Sequence, residues 1–124
     1  MQLTTTEEQL MHHLWKLENA FLKDLIELYP DPKPATTTVA TLLKRMTDKQ
    51  FVGYNVQGNT RIYFPLVSKN EYFSKYMNGL IKNFFDNSAS QFASFFTTAT
   101  NLTEKELKDL RSLVENELKK KKHE

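Results

Sequence analysis

The stretch from Pro34 to Val67 joins an amphipathic helix directly to an alternating hairpin. In its first half, apolar residues recur at three- and four-residue spacing and so share one helix face: Val39, Leu42, Leu43 and Met46. In its second half, two runs of alternating apolar and polar residues flank Gly58–Asn59, a pair suited to a two-residue turn. A helix followed at once by a hairpin predicts a winged helix-turn-helix, in which the helix enters the DNA major groove and the hairpin is the wing.

The opposite face of the predicted helix is polar and basic. It carries side chains that can donate hydrogen bonds to phosphates and base edges: Thr37, Thr41, Lys44, Arg45 and Lys49. Residues 1–32 have a charge balance of −4, whereas residues 33–67 have a balance of +4. Basic charge is therefore concentrated where a DNA-binding surface needs it. Without the motif, ordinary solvated charges would be the simpler interpretation.

The residues before this stretch predict two short helices and a proline-rich elbow. Thr5-x-x-Glu8 matches a capping box at the start of a first helix, whose buried stripe contains Leu10, Met11 and Leu14, with Trp15 as an anchor of the core. His12 and His13 are adjacent and diverge on a helix, so we expect surface histidines rather than metal ligands. Pro30–Pro34 ends the second helix, because each proline removes a backbone donor.

Residues 68–124 predict three further helices with broad apolar faces. We predict a boundary at Val67, with a DNA-binding domain over 1–67 and a helical dimerisation region over 68–124. Capping boxes at Ser68 and Thr103 start the two longest helices, and their faces are too wide for so short an arm to cover alone. The predicted dimer contacts are Tyr72, Phe73, Tyr76, Met77, Leu80, Ile81, Phe84, Leu107, Leu110, Leu113 and Val114. The alternative is that these residues fold back onto the wing domain as a monomeric core.

The composition argues against catalysis. The chain has no cysteine, which excludes disulfides, thiolate chemistry and Cys-based metal sites, and its three glycines form no phosphate-binding loop. The three histidines have no recurring carboxylate partners, so we expect no enzyme activity, metal or cofactor. The amino terminus lacks a signal-peptide pattern and no apolar run approaches membrane-spanning length. We therefore expect a cytoplasmic protein.

Three segments resemble the BlaI/MecI/CopY repressors, which control penicillin-resistance and copper genes. They are Thr37–Met46 followed by Lys49–Val52, the wing segment Gly58–Val67, and the opening Leu3–Met11 closed by Leu14–Trp15. The resemblance implies a homodimeric repressor on a palindromic operator. It also implies that an extended segment at Ala20–Leu22 pairs with the wing.

The resemblance also implies functional residues. It places the following near DNA, with Arg61 of the wing on the backbone: Thr37, Thr38, Thr41, Lys44, Arg45, Lys49 and Arg61. Relatives that control β-lactam resistance are inactivated by a cut that corresponds here to Phe95–Phe96, which makes a sensor-linked membrane metallopeptidase a candidate partner. Ala40 stands where many members have Arg, and Gln50 where most have Gly. The absence of cysteine excludes copper sensing by the family's cysteine-rich site.

Two classes of function remain open at this point. The first is a dimeric DNA-binding repressor, which Lys44, Arg45 and Arg61 favour. The second is a winged-helix protein-interaction module without specific DNA binding, toward which Ala40 leans.

Overall fold

The computed structural model describes residues 2–123 and is mainly helical, with one two-stranded sheet. Its elements follow one another as α1 Thr5–Leu17, α2 Leu22–Glu27, α3 Thr36–Asp48, β1 Val52–Gln57, β2 Thr60–Pro65, α4 Lys69–Phe84, α5 Ala89–Ala99 and α6 Glu104–Lys122. The predicted helix and hairpin between Pro34 and Val67 are confirmed.

The chain divides between Met77 and Asn78 into two compact units. The core of the first unit is formed by buried apolar side chains from α1, α2, α3, β1 and the start of α4: Leu3, Leu10, Met11, Leu14, Ala20, Leu25, Tyr29, Val39, Leu42, Leu43, Met46, Phe51, Val52 and Tyr72. This unit extends ten residues beyond the boundary predicted at Val67, because the first turns of α4 pack into its core.

Tyr72 is the residue that joins the start of α4 to this core. The periodicity assigned it to the dimerisation face, but its side chain is only 3% exposed. Its hydroxyl accepts a hydrogen bond from the Leu3 amide at 2.9 Å and donates one to Glu8 Oε2 at 2.7 Å. Tyr72 is therefore a core residue of the first unit and not part of an exposed face.

Trp15 packs beside Tyr72, where α4 begins. Its indole Nε1–H donates to the Val67 carbonyl at 2.8 Å, and its ring lies 6.1 Å from that of Tyr72 and 5.9 Å from that of Phe73, measured between ring centroids. The end of the wing and the start of α4 are thus held against α1 by one partly buried side chain. The predicted role of Trp15 as an anchor agrees with this position.

The wing is an antiparallel hairpin with a two-residue turn. Gln57 pairs with Thr60, which leaves Gly58 and Asn59 as the turn residues, and Gly58 has a φ of +61°. Glycine with positive φ at the first position of such a turn matches the right-handed twist of the flanking strands. Ala20 bridges to Tyr63 through two backbone hydrogen bonds of 3.0 and 2.8 Å. The extended pairing expected for Ala20–Leu22 is found at Ala20, while Leu22 already begins α2.

The first helix is capped one residue earlier than the sequence pattern indicates. Thr4 is the N-cap: its hydroxyl accepts from the Glu7 amide, and Glu7 Oε1 accepts from the Thr4 amide. Thr5 is already helical, so Glu8 is free to bond Tyr72 instead. Glu7, the N3 residue of this capping box, lies on the buried side of α1.

In the second unit, an aromatic cluster joins α5 to the residue after α4. The Phe85 ring lies 5.5 Å from those of Phe92 and Phe95, and Phe92 stacks on Phe96 at 6.1 Å. None of the described residues of α5 and α6 is buried. Exposed apolar side chains remain at Phe84, Phe95, Phe96, Leu107, Leu113, Val114 and Leu118.

Gln50 occupies the left-handed position that ends α3. Its φ is +66°, its amide donates to the Thr47 carbonyl, and the Phe51 amide donates to the Met46 carbonyl, both at 3.0 Å. This pair of bonds is a Schellman motif, in which glycine is the favoured residue because it lacks the Cβ that clashes there. The junction at which most relatives have glycine thus keeps the helix-ending geometry with Gln50 in that position.

We predict that Gln50→Gly stabilises the protein by about 1 kcal/mol, because it relieves the cost of a left-handed side-chain-bearing residue. For a unit of this size the melting temperature should rise by about 4–8 °C. Gln50→Ala is the matched control, since it shortens the side chain but keeps the Cβ. Equal melting temperatures for the Gly and Ala variants would contradict the assignment of strain to this φ.

Candidate nucleic-acid interface

The packing of α3 determines which of its side chains face outward. Val39, Leu42, Leu43 and Met46 are buried in the core of the first unit. Because they occupy one side of the helix, the other side is turned to solvent. Exposed on it are Thr37, Thr38, Ala40, Thr41 and Lys44. The outward face of α3 is therefore mainly polar and carries a cation.

The start of α3 is an open helix terminus. Ala35 is the N-cap and provides no side-chain hydrogen bond, so the first amides of the helix have no side-chain partner among the described residues. Such amides, with the positive end of the helix dipole, can bind a phosphate. Lys33 does not lie free beside them: its ammonium donates to the carbonyls of Glu27 and Tyr29, at 3.0 and 2.9 Å.

Arg61 on the wing projects toward the same side as Lys44. Its guanidinium lies 4.2 Å from the centroid of the Tyr54 ring, so it is held over an aromatic face while remaining exposed. A groove of about 350 Å³ is lined by residues of α3 and the wing: Ala40, Lys44, Thr47, Asp48, Tyr54, Arg61 and Tyr63. A second groove of about 620 Å³ lies between α2, the start of α3 and the wing, and is lined in part by Lys23, Thr36 and Arg61. Cations therefore border both grooves.

Among the predicted DNA contacts, one threonine and one lysine already have a partner within α3. Thr41 Oγ1 donates to the Thr37 carbonyl at 2.8 Å, which leaves its methyl group and lone pairs for a ligand. Lys44 Nζ lies 3.3 Å from Asp48 Oδ2, with both side chains largely exposed. An exposed pair of this kind is weak and exchanges readily with solvent or phosphate.

Arg45 and Lys49 are arranged differently, because both bind the same buried carboxylate. Glu7 is 1% exposed, and its Oε2 lies 3.0 Å from Arg45 Nε and 2.7 Å from Lys49 Nζ. Burial alone would raise the pKa of Glu7, but hydrogen bonds from Lys49 and from the Thr4 amide and hydroxyl, with the Lys49 charge, lower it to about 2. The two cations differ in exposure, because the Arg45 side chain is 48% exposed and that of Lys49 is 29% exposed. Of the predicted DNA contacts on α3, Lys49 is therefore the one turned into the protein toward Glu7.

Sequence reasoning missed Glu7, although a signal for it was present. Glu7 precedes Leu10, Met11 and Leu14 by three, four and seven residues, so it lies on the buried stripe of α1. A carboxylate at such a position requires cationic partners, and α3 provides two of them.

His13 departs from the surface position expected for it. It is 9% exposed, and its ring packs edge-on against Tyr29 with centroids 4.5 Å apart. Burial, followed by the nearby charges of His12 and Lys16, lowers the pKa of His13. Within residues 2–123, no group of three His, Cys, Asp or Glu side chains is arranged to hold a metal. The helices of this same part of the chain include none with the length and apolarity needed to cross a membrane.

We predict that Glu7 makes the stability of the protein sensitive to acid. Its folded pKa of about 2 lies below the unfolded value of 4.5, so its contribution is fully present above pH 4.5 and is lost as the pH falls toward 2. In urea unfolding, the free energy of unfolding of Glu7→Gln should be about 3 kcal/mol lower than that of the wild-type protein at pH 7. This difference should become smaller as the pH falls from 4.5 to 2. Glu27→Gln, at an exposed glutamate of α2, is the control. A Glu7→Gln deficit that is the same at pH 7 and pH 2.5 would refute this assignment.

Comparison with known proteins agrees with the architecture. The family model described as penicillinase repressor matches residues 3–116. A cysteine-to-serine mutant of MarR from E. coli superposes with a TM-score of 0.51 at 14% identity, covering 94% of this chain and 79% of that chain. BpsR from Bordetella bronchiseptica, solved to explain regulation of its DNA binding by 6-hydroxynicotinic acid, has a TM-score of 0.48 at 11% identity, covering 92% and 78% of the two chains.

No curated protein sequence matches the chain. The likeness to MarR concerns the fold alone, and with it the predicted winged-helix fold is confirmed. The match to the family model extends over most of the chain and includes all three segments that carry the sequence resemblance. The protein therefore belongs to the penicillinase repressor family of DNA-binding transcriptional regulators.

Proposed function

We propose that the protein represses transcription as a homodimer that binds a palindromic operator through α3 and the wing. The observation that carries this proposal is the outward face of α3, which combines exposed threonines with Lys44 and lies beside Arg61 of the wing. In a winged helix this face enters the major groove. A repressor acts where the chromosome is, so we assign the protein to the cytoplasm.

The contacts divide by chemistry. Thr37, Thr38 and Thr41 are short and exposed at the start of α3, where recognition-helix side chains reach base edges. Lys44 and Arg61 carry flexible or exposed charges suited to phosphates, and the uncapped amides of α3 suit another phosphate. Arg45 and Lys49 complete the set that the family resemblance assigns to DNA, although both also contact Glu7.

We predict that selection from random duplexes at moderate salt enriches a palindromic motif. Lys44→Ala and Arg61→Ala should weaken binding to all sequences and each reduce the slope of log K against log salt by about 0.9, since each removes one phosphate contact. Thr41→Ala should alter base preference with little change in that slope.

Lys16→Ala, at an exposed lysine of α1, is the control for general loss of positive charge. If the wild-type protein enriched no motif, this result would contradict the repressor hypothesis. It would instead favour a protein-interaction module, in keeping with the exposed Ala40 at a position where many relatives have Arg.

Exposed and half-buried apolar side chains of α4 and α6 support dimerisation. Leu107, Leu113, Val114 and Leu118 of α6 are 41–66% exposed and recur on one side of the helix, and Phe84 of α4 is 75% exposed. Leu110 on α6, and Tyr76, Met77, Leu80 and Ile81 on α4, are half-buried. Phe73 is also exposed. Exposed apolar faces on α4 and α6 are costly in water, and a second copy of the chain would cover them.

We predict that Leu113→Glu converts a dimer to a monomer without unfolding it, because Leu113 is 60% exposed within one chain. Operator affinity should fall about a hundredfold or more, since the two half-sites no longer share an effective concentration. Sedimentation and a binding titration measure the two effects.

Ser112→Glu is the matched control, because Ser112 is exposed on the opposite side of α6 and the substitution adds the same charge. A wild-type protein that sediments as a monomer at tens of micromolar yet binds the operator fully would rule out the dimer.

We further propose that repression is relieved by cleavage at Phe95–Phe96 by a sensor-linked membrane metallopeptidase. Both residues are exposed on α5, so the bond is accessible once the helix opens locally. The hydroxyls of Thr97, Thr98 and Thr100 bond back to carbonyls of the preceding turn, an arrangement that weakens helices. A cut would separate α6 from α4 and remove the α6 part of the proposed dimer surface. Intact-mass analysis before and after induction distinguishes cleavage from a bound effector.

A further inference from the structure

Lys44 of α3 and Lys49, the C-cap of α3, pair with carboxylates in contrasting surroundings. Lys44 Nζ lies 3.3 Å from Asp48 Oδ2, and the two side chains are 79% and 67% exposed. Lys49 Nζ lies 2.7 Å from Glu7 Oε2, and the two side chains are 29% and 1% exposed. The first pair is solvated, whereas the second is shorter and turned into the protein. Lys44 is therefore free to exchange partners at little cost, and Lys49 is not.

The hydrogen-bonding capacity of Glu7 is committed on both oxygens. Oε2 accepts from Arg45 Nε and Lys49 Nζ, at 3.0 and 2.7 Å. Oε1 accepts from the Thr4 amide at 2.9 Å as part of the cap of α1. Glu7 is fixed in place by that cap and cannot follow its partners outward. If Lys49 moved to DNA, the buried carboxylate would lose its shorter and less exposed partner and keep only the half-exposed Arg45, which is unfavourable.

We infer that Glu7 is an internal counter-ion that retains Lys49 when α3 binds DNA, so that Lys49 does not neutralise a phosphate. This inference rests on the proposed DNA-binding function and assigns roles within it. Lys44 and Arg61 provide the phosphate contacts, while the last turn of α3 is a structural clamp to the start of α1. Glu7 is then a positioning residue, because it fixes the helix that reads DNA without touching DNA.

The salt dependence of binding tests this assignment directly. Each variant is titrated with the duplex that the wild-type protein enriches from a random library. Lys44→Ala should reduce the slope of log K against log salt by about 0.9, whereas Lys49→Ala should leave the slope unchanged. Lys44 and Lys49 form a matched pair, since they are the same residue type, one within α3 and one at its C-cap. A slope reduced by Lys49→Ala as much as by Lys44→Ala would overturn the inference.

A double-mutant cycle on folding tests the counter-ion without DNA. Combining Glu7→Gln with Lys49→Met should reveal a coupling of about tenfold in the unfolding equilibrium constant. The control cycle, Asp48→Asn with Lys44→Met, should show only about twofold. Equal coupling in the two cycles would overturn the inference.

The two experiments separate two kinds of failure. If no duplex is enriched, the proposed function fails, and the folding cycle alone decides whether Glu7 holds Lys49. If a duplex is enriched and Lys49→Ala changes its salt slope, the DNA-binding function stands and the counter-ion inference fails. If Glu7→Gln does not fold, the salt titration still decides, because it needs no substitution at Glu7.

Discussion

Burial of one side of α3 is the constraint on which the DNA-facing surface of this protein depends. Val39, Leu42, Leu43 and Met46 account for much of the small core available to a unit of under eighty residues. Rotation of the helix about its axis would expose these side chains, at a cost on the order of 1.5–3 kcal/mol for each one. The orientation of Thr37, Thr41 and Lys44 is therefore determined by residues that never meet the ligand. Packing of the core therefore determines which side chains of α3 can contact DNA.

The elements with strong periodicity could be predicted from the sequence. The helix and hairpin between Pro34 and Val67 were recoverable because their apolar spacing changes from helical to alternating at a single junction. The turn at Gly58–Asn59 was recoverable because two-residue hairpins select such residues. The outward residues of α3 followed from the same pattern, as the complement of its buried stripe.

What the sequence did not reveal depends on tertiary partners. Tyr72 fits the apolar stripe of α4 as well as its neighbours do, and only the Leu3 amide and Glu8 distinguish it as a core residue. His13 fits a surface pattern until Tyr29 covers it. The different surroundings of Lys44 and Lys49 could not be predicted from the sequence. They arise because Lys49 binds the carboxylate of Glu7, which lies some forty residues earlier in the chain. Side chains of one type on one helix thus acquire different roles from the burial of their partners.

The position of Trp15 determines what an optical experiment on this protein observes. It is the sole tryptophan of the chain, and its indole lies where the last residue of the wing segment, α1 and the first turn of α4 meet. Its fluorescence therefore follows the assembly of the winged helix. Beyond Met77 the only aromatic residues are phenylalanines. These residues therefore contribute almost nothing to emission excited at the red edge of protein absorption. Loss of structure confined to that arm would pass unseen in such a trace and would need circular dichroism to detect it.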